Sequence, residues 1–148
     1  MCHLICVKQN IEKTNSTIIQ DRSIYEDYEV FTKNLFDSGI LLKREFENYK
    51  RLYNTIIEYV KVPDLLIYIR NKNINNIVNN IKKRNRKFEK KINTEYLKNL
   101  NNYYENWIKH YSNKNLLIID VTNKDFIKNS KDLKNIYNII ENKINELT

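Results

Sequence analysis

The chain has 148 residues, 41% of them hydrophobic and 30% charged, and carries a formal net charge of +8. That length suits one domain, and the composition excludes a disordered chain and a disulfide scaffold, since Cys2 and Cys6 are the only cysteines. No apolar run approaches the roughly 20 residues of a membrane span, and Met1 to Lys8 has neither a basic leader nor a small-residue cleavage site, so the expected compartment is the cytoplasm.

Asn, Lys and Ile dominate, tyrosine is unusually frequent, alanine is absent, and there is one glycine, Gly39, and one proline, Pro63. Such usage follows AT-rich codons, and the lysines are scattered over polar helix faces rather than gathered in one block. The bulk charge therefore does not point to nucleic acid. Arginine is more telling. Where lysine is the default cation, the six arginines (Arg22, Arg44, Arg51, Arg70, Arg84 and Arg86) are candidates for places that use a planar fork for phosphate or carboxylate. Cys2, His3 and Cys6 form a short cluster. A structural zinc site needs four ligands, and His110 is the only other histidine, so the thiols read as reduced and incidental.

In chain order, Thr17-Ile18-Ile19 is a β-branched run whose end delivers Gln20-Asp21-Arg22-Ser23, and it is expected to be a strand. A helix follows with Tyr28, Phe31, Leu35 and Phe36 inward, stopping at Ser38-Gly39. The next helix is expected from about Lys43 to Val60, with Phe46, Tyr49, Tyr53, Ile56, Ile57 and Val60 on one face. Pro63 breaks the chain. Asp64 to Ile69 reads as a strand of the kind buried on both faces of a parallel sheet. Asn73 to Lys83 is a helix with Ile74, Ile77, Val78 and Ile81 inward, and a charge-dense stretch, Lys82 to Lys91, follows. A long helix is expected from about Thr94 to Tyr111, with Leu97, Leu100, Tyr104, Trp107, Ile108 and Tyr111 on one face, then a second buried strand over Leu116 to Asp120, and a last helix from Lys131 to Leu147. Strands alternating with helices predict an α/β fold with a parallel sheet.

Ligands of open parallel sheets bind at the carboxyl ends of the strands. The three ends carry Asp21-Arg22-Ser23-Ile24-Tyr25-Glu26-Asp27, then Arg70 leading to Arg84-Asn85-Arg86-Lys87-Phe88-Glu89, then Asp120 followed by Asp125-Phe126. D-R-S-I-Y-E-D after a strand resembles the E/D-R-S motif of the deoxynucleoside kinases. Pro63 to Ile69 (P-D-L-L-I-Y-I), Arg84 to Glu89 (R-N-R-K-F-E), Glu95 to Leu97 (E-Y-L) and the closing segment Leu116 to Phe126 follow in that family's order and spacing. The nearest group is the bacterial deoxyadenosine, deoxyguanosine and deoxycytidine kinases.

The resemblance implies a P-loop kinase-like three-layer fold holding the equivalents of strands 3, 4 and 5, a single partial kinase domain over 1–148 with 1–15 an N-terminal remnant and 82–91 a lid. It implies transfer of the ATP γ-phosphate to a deoxynucleoside 5′-hydroxyl, with ATP and Mg²⁺ as cofactors, in deoxyribonucleotide salvage. Asp21 would sit near the Mg²⁺ and the reacting phosphate, and Arg22 would hold the 5′-oxygen and the transferring group. Asp27 would help recognise the base, Arg84 and Arg86 would be lid arginines on the donor phosphates, and Glu89 would accept the sugar 3′-hydroxyl. Asp125 and Phe126 would lie in the loop that contacts the donor adenine. A homodimer through the helix at Lys43 to Val60 and the one before it is also implied. Phosphoryl transfer calls for positioned cations more than for covalent chemistry, which suits this set.

Two departures stand out at the lid, and a larger one outside it. The lid sequence R-G-R is here Arg84-Asn85-Arg86, and asparagine tolerates a left-handed backbone better than most residues. At Asn80, many members carry a further arginine. The larger departure is the glycine-rich loop G-x-x-x-x-G-K-[S/T], which a chain with one glycine does not contain. The expected catalytic base and strand 1, between strands 3 and 4, are missing with it. Three readings stay open: a truncated or split kinase whose N-terminal P-loop third is a separate chain, an inactive remnant, or a small basic nucleotide- or nucleic-acid-binding module without catalysis.

Overall fold

A computed structural model of the chain describes residues 17–89, 92–112 and 115–147. The Cys2–His3–Cys6 cluster, the 1–15 remnant and lid positions 90 and 91 lie outside the described residues. The chain divides into two compact units, Met1–Val62 with Asn99–Trp107, and Pro63–Lys98 with Ile108–Thr148.

In the first unit, helix α1 runs in three consecutive segments: Ile24–Glu26 as α-helix, Asp27–Thr32 as π-helix and Lys33–Asp37 as α-helix. Ser23 starts it, its hydroxyl accepting the Glu26 N–H at 3.3 Å. The wider turns are sealed by Thr32, whose hydroxyl donates to the Asp27 carbonyl five residues back at 2.8 Å. The chain leaves at Gly39, whose φ of 71° lets the Ile40 N–H reach back to the Leu35 carbonyl at 3.0 Å. The helix stop expected at Ser38-Gly39 is thus present.

Helix α2, Lys43–Ile57, begins where the Glu45 carboxylate accepts the Leu42 N–H at 2.9 Å. It ends three residues short of the expected Val60. Tyr59 and Val60 bond back only three residues, to Ile56 and Ile57; the restriction Pro63 places on Val62 turns the chain out of the helix. Ile24, Tyr28 and Tyr53 form the buried centre, with Tyr25, Phe46, Tyr49, Ile56 and Ile57 packed around it. Tyr28 lies face to face with Tyr53 at 4.2 Å, and Phe36 with Phe46 at 4.2 Å.

In the second unit, strands β1, Leu66–Arg70, and β2, Leu116–Asp120, pair in parallel with Leu66 opposite Leu116 and Arg70 opposite Asp120. Helix α5, Ser130–Asn145, covers one face: Ile119, Val121 and Ile136 are its buried centre, and Leu117, Phe126, Ile139 and Ile140 pack against it. Helix α3, Ile74–Arg84, follows β1, and a 3₁₀ turn, Lys87–Glu89, leads towards helix α4, Thr94–His110. The middle of α4 belongs to the first unit and its ends to the second. Asparagine starts α3, α4 and α5 alike. The side chains of Asn73, Asn93 and Asn129 accept the N–H of Asn75, Glu95 and Lys131 at 3.0, 2.9 and 3.0 Å. Part of the asparagine excess thus has a structural use.

The fold class is the expected mixed α/β arrangement with a parallel sheet, but the described sheet has two strands, not three. Thr17–Ile19 carries no strand, and Ile19 is 92% exposed. A β-branched run needs a neighbour to take up its backbone N–H and C=O groups, and β1 and β2 pair with each other. Among the described residues, no helix is long and apolar enough to cross a membrane.

Asn85 ends α3 in the left-handed conformation, φ 52° and ψ 32°, with its N–H on the Ile81 and Lys82 carbonyls. This is the position at which the resemblance implies glycine, and left-handed backbone is a conformation that glycine takes freely and asparagine more readily than most residues. Asn85→Gly is expected to leave stability within about 0.5 kcal/mol, while Asn85→Val costs about 1–2 kcal/mol. Urea unfolding of the two variants checks the order.

Candidate active site

The D-R-S turn sits directly before α1. Arg22 has φ 67°, one of two non-glycine residues with positive φ among the described residues. For a residue with a Cβ, this costs about 1–2 kcal/mol, and such strain gathers where a side chain must be aimed. Its guanidinium lies 4.6 Å from the centre of the Phe31 ring, in a cation–π contact. Asp21 is exposed beside it. Asp27 opens the π-helical segment, half-buried, and its negative charge acts on Tyr49. Burial pushes the Tyr49 phenol up, a hydrogen bond with Thr32 opposes this, and Asp27 adds to it. Phe31 carries an edge-on contact to Tyr104, 6.3 Å and 88° between rings. The Tyr104 hydroxyl donates to the Glu26 carboxylate, and its neighbour Tyr103 donates to Asp37.

Burial first, and then the bond to Asp37, push the Tyr103 phenol up to about 12 from 10.0. A folded-state value above the unfolded one contributes stability below pH 10 that is lost as pH rises through the folded value. The stability advantage of the chain over Tyr103→Phe is therefore expected to hold steady below pH 10 and to fall away towards pH 12. Urea midpoints for both, taken across that range, check it.

In the second unit, the segment after α3 folds onto one carboxylate. Arg84 Nη2 lies 3.5 Å from Glu89 Oε2, and Arg86 Nη1 lies 3.5 Å from Glu89 Oε1. The arginine side chains are half exposed, whereas that of Glu89 is 11% exposed. Glu89 Oε2 is buried with no hydrogen-bond partner. Both ion pairs are longer than a bidentate hydrogen bond. A cleft of about 240 Å³ opens beside them, walled by Val78, Ile81, Ile92 and Leu97, with Lys82, Arg86 and Glu89 at its polar side.

The carboxyl ends of β1 and β2 are tied by a polar clamp. Asp120 takes the Thr122 N–H at 3.0 Å on one oxygen and the Lys72 ammonium at 3.0 Å on the other. Thr122 in turn accepts the Lys72 N–H on its hydroxyl and the Asn76 side-chain amide on its carbonyl. The Thr122 hydroxyl and N–H, with Lys72 adding, hold the Asp120 carboxyl well below the usual carboxylate range. Further on, Asp125 organises the turn into α5: its carboxylate accepts the Lys128 N–H at 3.2 Å, and its own N–H donates to Asp132 at 3.1 Å. Phe126 packs against the β2–α5 core.

Asp21, Arg22 and Asp27 thus share one turn and helix start, and Arg84, Arg86 and Glu89 form one cluster. The sequence matches the deoxynucleoside kinase family profile over residues 1–145. The chain belongs to the deoxynucleoside kinase family. It is 29% identical to the deoxyadenosine/deoxycytidine kinase of Bacillus subtilis over 141 residues, 94% of this chain and 64% of that protein. It is 29% identical to the deoxyguanosine kinase of the same organism over 140 residues, 92% of this chain and 66% of that protein. Over 94 residues it is 38% identical to the deoxyadenosine kinase of Dictyostelium discoideum, 64% of this chain and 38% of that protein. The chain therefore spans about two thirds of the length of the Bacillus relatives.

For this member of the deoxynucleoside kinase family, the residue pattern pointed to the charged side chains and not to the contacts that surround them. Phe31 and Tyr104 were expected only as packing residues facing inward, and Glu26 only as a member of the D-R-S-I-Y-E-D stretch. The π-helical turns displace side chains from the 3.6-residue period: Val30 is fully buried and Asn34 is 1% exposed, while Phe31 is left half-buried under Arg22. A local period change of this kind leaves no mark in an apolar pattern.

Proposed function

We propose that this chain contributes the deoxynucleoside-binding and lid side of an ATP-dependent deoxynucleoside kinase. Family membership sets the reaction class. The observation that carries the reading is Glu89, a buried carboxylate between two guanidiniums with one oxygen lacking a hydrogen-bond donor. Such an oxygen is costly to leave unmade, and a sugar hydroxyl supplies the missing donor. Glu89 accepts the 3′-hydroxyl, and Arg84 and Arg86 move to the donor phosphates, so segment 82–91 works as a lid.

Arg22 grips the 5′-oxygen and the transferring phosphoryl group with its planar fork. Asp27 takes part in base recognition as a hydrogen-bond acceptor, and Asp125 with Phe126 borders the donor adenine. Among the described residues, there is no group of three or more His, Cys, Asp or Glu able to hold a metal. Mg²⁺ of the kind carried on nucleotide phosphates needs only one or two protein carboxylates, and exposed Asp21 fits that use. The ion would neutralise charge on the donor phosphates. The phosphate cradle comes from polypeptide outside these 148 residues, since a single glycine cannot build it. The exposed Ile40, Leu42 and Tyr59 around α2 suit the surface through which two copies pair.

Calorimetric titration with each of the four deoxynucleosides and their 2′,3′-dideoxy counterparts tests the reading. The expected result is that at least one deoxynucleoside binds, that its 3′-deoxy analogue binds about tenfold more weakly, and that Glu89→Gln narrows this difference. Equal binding of both analogues would remove Glu89 from the sugar site.

A further inference from the structure

A carboxylate four residues after Arg22 has a partner that the phosphate-gripping role does not require. Arg22 is left-handed at φ 67°, exposed, and stacked 4.6 Å over Phe31. An exposed arginine loses rotamer freedom when it is held over a ring, so the ring itself must be fixed for the contact to aim the guanidinium. Phe31 is fixed by Tyr104, edge-on at 6.3 Å and 88°. Tyr104 is held by its hydroxyl, which donates to Glu26, and by a tilted contact with Trp107, 6.4 Å between ring centres. The Glu26 backbone is capped by Ser23, whose hydroxyl accepts the Glu26 N–H at 3.3 Å. Ser23 is the residue next to Arg22. The contacts therefore form a closed circuit, Arg22–Phe31–Tyr104–Glu26–Ser23, that begins and ends in the D-R-S turn.

The π-helical segment makes the circuit possible. Glu26 lies one residue before it and Phe31 within it, five positions apart. With i-to-i+5 bonding, as in Lys33 N–H to the Tyr28 carbonyl, residues five apart stand on the same side of the helix. Glu26 and Phe31 both meet Tyr104 on that side. In an α-helix, residues five apart are turned well away from each other.

We propose that Tyr104 is a positioning residue for Arg22, acting through Phe31 and held in place by Glu26. This rests on the reading of Arg22 as the phosphate-gripping arginine. Loss of the Tyr104 hydroxyl removes the ring's tie to Glu26, loosens Phe31 and lets Arg22 leave its stacked pose, while the helices stay packed.

The test is side-chain NMR of the 148-residue chain labelled at arginine, with Arg22 assigned from its disappearance in Arg22→Lys. In the unaltered chain, the Arg22 δ and ε protons are expected upfield, under the Phe31 ring current, and Phe31→Leu abolishes the displacement. Tyr104→Phe, which keeps the aromatic ring, and Glu26→Ala lose most of it. Glu26→Gln, which keeps an acceptor oxygen, retains it. Titration with inorganic phosphate is expected to move Arg22, with about two- to fivefold weaker affinity in Tyr104→Phe. An Arg22 displacement that is absent from the unaltered chain, or that survives in Tyr104→Phe and Glu26→Ala with thermal unfolding unchanged, overturns the proposal. A displacement that follows the variants as stated while phosphate leaves Arg22 unmoved supports the positioning and instead overturns the phosphate-gripping reading on which its purpose rests.

Discussion

Replacing Arg22 with lysine is expected to lower phosphoryl transfer by about 10²–10³-fold, measured with labelled ATP and a saturating deoxynucleoside in the presence of a chain carrying the glycine-rich loop. The substitution keeps the positive charge, so the loss isolates the geometry. Lysine offers one point charge on a flexible stem, whereas the guanidinium spans two oxygens at once. The left-handed backbone at Arg22 and its stacking on Phe31 present that fork from a fixed direction. A lysine at that position keeps the backbone strain and loses the flat surface that lies on the ring. The effect is expected mainly in kcat, because an interaction made with the transferring group is strongest in the transition state. A change of less than about threefold would place Arg22 outside the reacting centre.

Tyr28→Ala is expected to destabilise the chain by about 3–5 kcal/mol, lowering the melting temperature by on the order of 10 °C. Tyr28 is buried at 7% exposure, stacked on Tyr53 at 4.2 Å and within reach of Phe46 and Tyr49 at 6.1 and 6.4 Å. The Lys33 ammonium lies 5.1 Å from the centre of its ring and is also ion-paired with Glu29. Removing the ring leaves a cavity between α1 and α2 whose aromatic walls cannot collapse to fill it. Tyr137→Ala on α5, where the side chain is 61% exposed, serves as the control and is expected to stay within about 0.5 kcal/mol. Thermal unfolding followed by circular dichroism separates the two.

The parts of the fold that could be seen in the residues were those written in local chemistry. Leu116 to Ile119 is an uninterrupted apolar run closed by Asp120, and β2 forms over those same five residues. Thr94 follows a capping asparagine, and α4 starts there. Gly39 and Pro63 marked the ends of α1 and α2, although the turn before Pro63 took three residues from the expected helix. What stayed hidden depended on partners distant in sequence. Thr17 to Ile19 has the composition of a strand, but a strand exists only when another is beside it. The π-helical turns of α1 rest on backbone bonds that the apolar period does not record.

The same division holds for the charged residues. Arg84, Asn85, Arg86 and Glu89 lie within six positions, so their gathering around one carboxylate is a local matter that spacing conveys. Asn85, where glycine was expected, takes a left-handed turn, as its side chain allows. The Arg22–Phe31–Tyr104–Glu26 contacts draw on α4, more than 70 residues away in sequence. Helical spacing marks Tyr104 as one of the inward residues of α4, but nothing near it in the chain ties it, among the eleven tyrosines, to Arg22.

The measurement that bears most directly on the central claim is transfer of the labelled γ-phosphate of ATP to each of the four deoxynucleosides by the 148-residue chain, with and without a second chain carrying the G-x-x-x-x-G-K-[S/T] loop. The account predicts a labelled deoxynucleoside 5′-monophosphate from at least one of the four on mixing, and its loss with Arg22→Lys. No product on mixing, from a chain shown to be folded and to bind its loop-bearing partner, would contradict it.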